Sequence, residues 1–171
     1  MARTDSMDDS SQQDVTRSSG TYLRLGVTAL VVVLLDQITK SLAVDRLGDG
    51  RVIEVVDGAV SLRVTLNSGG AFGLGQGFPL FFLAATIVVI ALILLWVRTL
   101  DDHTLAIPLG MVLGGGIGNA IDRLFRDTGG RVVDFVDLHV WPVFNVADAS
   151  ITVGVIAILW VTVVTGRSRT D

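Results

Sequence analysis

Apolar and polar residues alternate along this chain on two scales. On the long scale four apolar segments stand out, at about 22–47, 78–100, 104–124 and 143–165. Within the second, residues 78–97 run twenty positions without a charge. A helix rising about 1.5 Å per residue needs about that many to cross a hydrocarbon layer roughly 30 Å thick. The pattern predicts a mainly α membrane protein with four transmembrane helices, each long enough only if some polar residues are included. On the short scale, RVIEVV and AVSLRVTL cluster or alternate β-branched residues around Asp57-Gly58, a dipeptide that suits a tight turn. A small extramembrane β-hairpin is expected over about 50–66, and the strand-like stretch 131–136 can join it as a small sheet. Strand alternation then turns Asp134 and Asp137 to opposite faces, so at most one of them enters any given site. Residues 1–20 are Ser- and Asp-rich without apolar periodicity and are expected to form a disordered tail, with 21–171 as a single membrane domain.

Composition narrows the chemistry. Half of the 171 residues are hydrophobic and only 18% are charged, too apolar for an ordinary soluble domain. There is no cysteine, which removes disulfides, thiolate nucleophiles, iron-sulfur clusters and Cys-based zinc sites. Half of the net charge of -4 sits in the N-terminal stretch 1–20, and no basic tract points to nucleic acid. A cleaved signal peptide ending near Ser41-Leu42-Ala43 is disfavoured, because the polar DQITK block intervenes and the helical pattern continues past it.

If each connecting segment stays on its own side, the first and third spans run one way and the fourth runs back. Asp36 and Lys40 late in the first span, Asn119, Asp122 and Arg123 closing the third, and Asn145 and Asp148 opening the fourth then share one membrane face with the hairpin and Asp134. Lysine and arginine number six on the side of the termini and seven on the other, so the positive-inside rule does not orient the chain. Ionisable groups in a bilayer cost a few kcal/mol each and usually face a bundle interior, which makes the cluster a candidate site. A carboxylate beside low dielectric and a like charge has its pKa raised, and two such groups can share a proton. Asp134 and Asp148 are the candidates for that paired acid-base work.

Each motif also has a plainer reading. Asp36 and Lys40, four apart, form either a neutralised structural pair or a grip on substrate backbone. NSGGAF, with Asn67, is by itself an ordinary turn. Gly110, Gly114 and Gly118 make a flat helix face for close packing. Arg123 either holds a carboxylate or a substrate carbonyl, or anchors the interface. Asp137 and Asp122 are expected to serve structure, Asp122 because it neighbours Arg123. Of the two histidines, His103 falls on the opposite side from His139, so a His-based triad or zinc site lacks parts. A Ser68–Lys40 pair is disfavoured because Asp36 keeps Lys40 charged. The rivals from other classes are a proton relay or transporter through Asp36, Lys40, Asp122 and Asp148, and a scaffold packing through its glycine face.

Taken in order, DQITK, NSGGAF, GGGIGNAIDR, VVDF and FNVADASI resemble the motif series of the lipoprotein signal peptidases, the bacterial signal peptidase II family, over about residues 22–165. The resemblance implies an intramembrane aspartic endopeptidase that removes the signal peptide from prolipoproteins, N-terminal to a diacylglyceryl-modified cysteine. It implies Asp134 and Asp148 as the catalytic pair, with Asp36, Lys40, Asn67, Asn119, Arg123, Asn145 and Ala147 building or supporting the site. It further implies no metal or other cofactor, a β-sheet cradle, partners limited to the modified prolipoprotein and membrane lipid, a monomer, and a place in the bacterial cytoplasmic membrane with both termini inside and the site facing outward. One departure is Gly70, where the family commonly has alanine, which raises the expectation of a loosened turn near Asn67.

Overall fold

The computed structural model describes residues 5–70, 77–99 and 103–167. The elements run α1 (Asp5–Leu47), β1 (Ile53–Val56), β2 (Val60–Asn67), α2 (Pro79–Trp96), α3 (Ala106–Phe125), β3 (Val132–Asp137) and α4 (Val146–Arg167), with short 3-10 turns at Val97–Thr99 and His103–Leu105. Among the described residues three stretches of helix are long and apolar enough to cross a membrane: Gly20–Leu47, Pro79–Trp96 and Val146–Val164. Their outer faces carry exposed Leu30, Leu34, Leu80, Ile87, Leu92, Ile156 and Trp160, a belt of apolar side chains suited to lipid rather than water. α1 begins earlier than the sequence pattern predicts. Residues 1–4 of the expected disordered tail lie outside the described residues, but from Asp5 the backbone is helical and continuous with the span. Extending an existing helix adds a hydrogen bond per residue with no new nucleus to form, so polar residues of moderate propensity can follow the span without apolar periodicity of their own.

α3 is the middle of the bundle and packs against α1, α4 and α2. Its glycines are the reason it can. A methyl group on Gly110 would lie 2.7 Å from the Leu25 carbonyl oxygen, and one on Gly114 would lie 2.6 Å from that of Ala29, so this face meets the α1 backbone directly. On another face Gly115 meets the Ala147 carbonyl oxygen of α4 in the same way, at 2.5 Å. Such contacts are open only to residues without a Cβ. Away from the polar end, Leu25, Ala29, Ile93, Val97, Leu105, Leu109, Val112 and Leu113 form the apolar core of the bundle.

The sheet has the order β1-β2-β3 and is antiparallel throughout. The β1–β2 hairpin turns at Asp57-Gly58, where Gly58 has φ +67°, a left-handed value cheap only for glycine. β2 and β3 pair Ser61 with Asp137 and Leu62 with Val136, but then Thr65 with Asp134 and Asn67 with Val132, so β2 carries one extra residue between Leu62 and Thr65. That bulge decides the geometry of the site. In unbroken register Asp134 would oppose Val64, and Asn67 would point to the other face; the extra residue restores Asn67 to the face of Asp134.

Candidate active site

The start of α4 is built by its own cap. Asn145 precedes the helix, and its Oδ1 accepts the backbone N–H of Asp148 at 2.9 Å, as an N-cap residue does for the third helical position. The cap leaves the Asn145 amide nitrogen free to donate elsewhere, and it donates to Asp134 Oδ1 at 2.7 Å. One buried side chain thus touches both aspartates of interest, through the backbone of one and the carboxylate of the other. Asp148 lies in the first turn, where the helix dipole favours negative charge. A second orphan N–H of this turn, from Ala147, donates to Asp36 Oδ1 at 3.0 Å.

Behind this cap lies a buried charge cluster. Lys40 Nζ sits 2.8 Å from Asp36 Oδ2 and 3.0 Å from Asp122 Oδ2, with all three side chains fully buried, and it donates to Asn119 Oδ1 at 3.0 Å. Arg126 reaches Asp122 Oδ1 at 3.1 Å, so two carboxylates meet two cations. Gln37 ties the group together, donating to Asp36, Asp122 and the Gly118 carbonyl and accepting from Arg126 Nη2 at 3.1 Å. The Asp122 Oδ2 that meets Lys40 also accepts the backbone N–H of Val133 at 3.0 Å. Asp36 therefore pins the residue before Asp148, Asp122 pins the residue before Asp134, and Lys40 joins the two. Lys40 also sets the orientation of Asn119, whose oxygen faces the ammonium and whose Nδ2 donates to Asp148 Oδ1 at 2.9 Å.

Asp134 is 2% exposed and accepts from Asn67 Nδ2 at 3.0 Å as well as from Asn145. Burial, and after it the Asp148 carboxylate, push its carboxyl up to about 7 against those two hydrogen bonds. The NSGG turn is closed rather than loosened: Asn67 Oδ1 accepts from Gly69 N at 2.9 Å, Asn67 Nδ2 reaches the Gly70 carbonyl at 3.3 Å, and Arg123 Nη2 donates to the Gly69 carbonyl at 2.8 Å. Asn67, Asn119, Arg123 and Asp148 line one side of a cavity of about 540 Å³ whose other walls are apolar, including Phe82, Val89 and Ile90 of α2, Ile151 of α4 and Trp141 of the loop after β3. Arg123 Nε is buried without a hydrogen-bond partner among the described residues. A carboxylate at the polar edge of an apolar cleft, Asp148, tied through Asn145 to a second, buried carboxyl that holds a proton near neutrality, is equipped for proton transfer to and from a bound carbonyl compound. Among the described residues no three His, Cys, Asp or Glu side chains are grouped so as to hold a metal ion.

All nine residues singled out from the sequence, Asp36, Lys40, Asn67, Asn119, Arg123, Asp134, Asn145, Ala147 and Asp148, fall at this one end of the bundle, and hydrogen bonds link them into a single constellation with one break in kind: Arg123 joins through backbone carbonyls. Asp137 turns away, as its odd spacing from Asp134 requires, and pairs with Arg63 at 2.6 Å. That contact and the His139 N–H hold its carboxyl below the usual range. Asp122 serves structure, as expected, but not through its neighbour Arg123: adjacent residues on a helix diverge, and Asp122 meets Lys40 and, one turn on, Arg126. Gln37 and Arg126 were not among the expected site residues. The spacing of four between Asp122 and Arg126 was a visible signal for one of them, but nothing local marks Gln37, whose contacts come from another helix.

The family model described as "Signal peptidase (SPase) II" matches residues 28–164. The chain is 44% identical over 146 residues to the lipoprotein signal peptidase of Rhodococcus jostii (strain RHA1), covering 83% of this chain and 73% of that one. It is 39% identical, also over 146 residues, to the lipoprotein signal peptidase of Shouchella clausii (strain KSM-K16), covering 84% of this chain and 95% of that one. Among solved structures, a bacterial membrane enzyme determined by the in meso method at 2.3 Å superposes with a TM-score of 0.74 at 28% identity, over 85% of this chain and 90% of that one. Another, determined at 1.9 Å, gives a TM-score of 0.69 at 30% identity over 79% and 89%. With its apolar helices, its likeness to membrane enzymes and a family match over most of its length, the chain is a multi-pass membrane peptidase belonging to the signal peptidase II family.

Proposed function

We propose that the protein is an intramembrane aspartic endopeptidase that removes the signal peptide from prolipoproteins, cutting just before the diacylglyceryl-modified cysteine, with Asp134 and Asp148 as its catalytic pair. The observation that carries the reading is the bridge of Asn145 between the two aspartates at the polar edge of an apolar cavity. A water held between them loses a proton to the ionised carboxylate as its oxygen attacks the scissile carbonyl carbon, while the protonated partner gives its proton to the carbonyl oxygen. Collapse of the resulting gem-diol returns a proton to the nitrogen, breaks the C–N bond and leaves a carboxylate on the signal peptide and an amine on the cysteine. The two carboxyls titrate as one unit. Asn67, Asn119 and Asn145 hold the carboxylates in place, and Arg123, which lines the cavity, is placed to meet a substrate carbonyl. No metal or organic cofactor has a part in the reaction. α3 serves as a fourth span, both termini lie in the cytoplasm, the site faces outward from the bacterial cytoplasmic membrane, and the enzyme acts as a monomer whose substrate presents its lipid chains from the bilayer.

The test is cleavage of purified diacylglyceryl-modified prolipoprotein, read as a gel shift. Asp134→Asn and Asp148→Asn should each abolish the shift while purifying as folded protein, and activity should survive exhaustive chelation. Turnover near the wild-type rate in either variant removes that residue from the pair, and a requirement for added metal overturns the cofactor-free mechanism.

A further inference from the structure

Gly70 is not an idle glycine. A methyl group built on it would lie 2.8 Å from Phe82 Cδ1 and within contact of Cε1 and Cζ of the same ring, so Phe82 of α2 occupies the space that any side chain at position 70 would need. The two residues belong to different elements and meet at the mouth of the cavity, both lining it. Gly70 is bound through its carbonyl to Asn67, which holds Asp134, so the ring is seated on the loop that positions one carboxylate. Further along α2, Thr86 and Ile90 continue the cavity wall; Ile90 lies eight residues from Phe82, about 12 Å deeper at helical rise. Phe82 is therefore the part of the α2 wall tied, through Gly70 and Asn67, to the carboxylate of Asp134.

We propose that Phe82, seated on Gly70, sets the size of the substrate side chain admitted next to the scissile bond. The inference rests on the peptidase reading above. In that reading the residue on the carboxyl side is the lipid-bearing cysteine and is fixed, so the position whose bulk can vary is the one on the amino side. A pocket bounded by glycine backbone and one aromatic ring discriminates by volume, and a difference of one methylene in such a pocket is worth about 10- to 200-fold.

The experiment measures kcat/KM for a set of diacylglyceryl-modified peptides identical except for Gly, Ala, Val or Leu immediately before the modified cysteine. Phe82→Ala should raise the Leu-to-Gly ratio of kcat/KM by about ten-fold or more, and Phe82→Leu by less. Gly70→Ala, which must displace the ring, should also change the ratio, and should change it far less when Phe82 is already alanine. Ratios equal to wild type in both Phe82 variants overturn the proposal, as does a uniform loss on all four peptides in protein whose melting temperature is unchanged. Failure of the wild-type enzyme to cut any of the peptides strikes the peptidase reading itself, a separate and recognisable outcome.

Discussion

Replacing Lys40 with methionine keeps the apolar stem and removes one charge from the middle of the buried cluster. Asp36 and Asp122, both fully buried, then lose contacts of 2.8 and 3.0 Å. Asp122 retains Arg126 and the Val133 N–H, whereas Asp36 is left with the Ala147 N–H and the Gln37 amide. Removing one partner of a buried ion pair costs about 3–5 kcal/mol, because the remaining charge is desolvated and uncompensated. For a chain of this length that corresponds to a fall in melting temperature of roughly 6–20 °C. Activity should suffer separately. Asn119 loses its charged donor and keeps only the Asn145 amide at 3.2 Å, which loosens its hold on Asp148, so kcat should fall more than KM rises. Adding Asp36→Asn to Lys40→Met removes the stranded charge while leaving an oxygen for the Ala147 N–H, and should recover part of the melting temperature without recovering kcat. The measurements are thermal unfolding in detergent and steady-state cleavage. A Lys40→Met protein that melts within about 2 °C of wild type and turns over at an unchanged rate would show that the cluster neither stabilises the fold nor orients the site.

Inserting one alanine between Thr65 and Leu66 shifts Asn67 by one position along β2 and should turn it away from Asp134, lowering kcat about 10- to 100-fold, as loss of a hydrogen bond to a charged group implies; adding Asn67→Ala to the insertion should cost nothing more, and an additive loss would refute the register argument. Gly114→Val collides with the α1 backbone and should lower stability by at least about 3 kcal/mol, whereas Gly116→Ala, with its nearest neighbour at 3.5 Å, should be neutral or better; equal melting temperatures for the two variants would contradict the packing described. For Asp134, with its carboxyl raised to about 7, the folded state holds the proton more tightly than the unfolded chain. Its stabilising contribution is complete below the ordinary carboxyl range and is lost as pH rises through about 7. Asp134→Asn should therefore gain stability relative to wild type between about pH 4 and 8, by about 4 kcal/mol at most; parallel melting curves across that range would refute it.

Helix positions and the gathering of polar residues at one end were legible because both depend on local pattern and segment order. Apolar runs locate α1, α2 and α4, and once three connections are placed, Asp36, Asn119 and Asp148 have nowhere else to meet. The alternation that separates Asp134 from Asp137 is local too, and it holds. What escaped the sequence was set by tertiary contact. The bulge that aligns Asn67 depends on a register between distant strands, and neither Arg63 nor Val64 advertises it. Gln37 stands beside Asp36 in the chain yet acquires its role from α3, through Gly118 and Asp122. Gly70 read as a loosened turn because its reason for being glycine, the ring of Phe82, lies on another helix. That Asp122 serves structure was legible from its place beside Arg123, but its partners, Lys40 and Arg126, are set by helical angle and by α1.

α3 also constrains how the protein can be assembled. It offers glycine backbone, Asn119 and Asp122 to its surroundings where the other helices offer leucine and valine, so hydrocarbon alone has little hold on it. Asp at a helix centre opposes membrane entry by roughly 2.5–3.5 kcal/mol, and Arg by a similar amount. Yet α1, synthesised earlier, already carries Lys40 to neutralise Asp122 and a backbone that interlocks with Gly110 and Gly114. On the proposal that α3 is a fourth span, its lateral release during biogenesis depends on docking to α1, and a lesion in DQITK would surface as a topology defect before it surfaced as a lost activity.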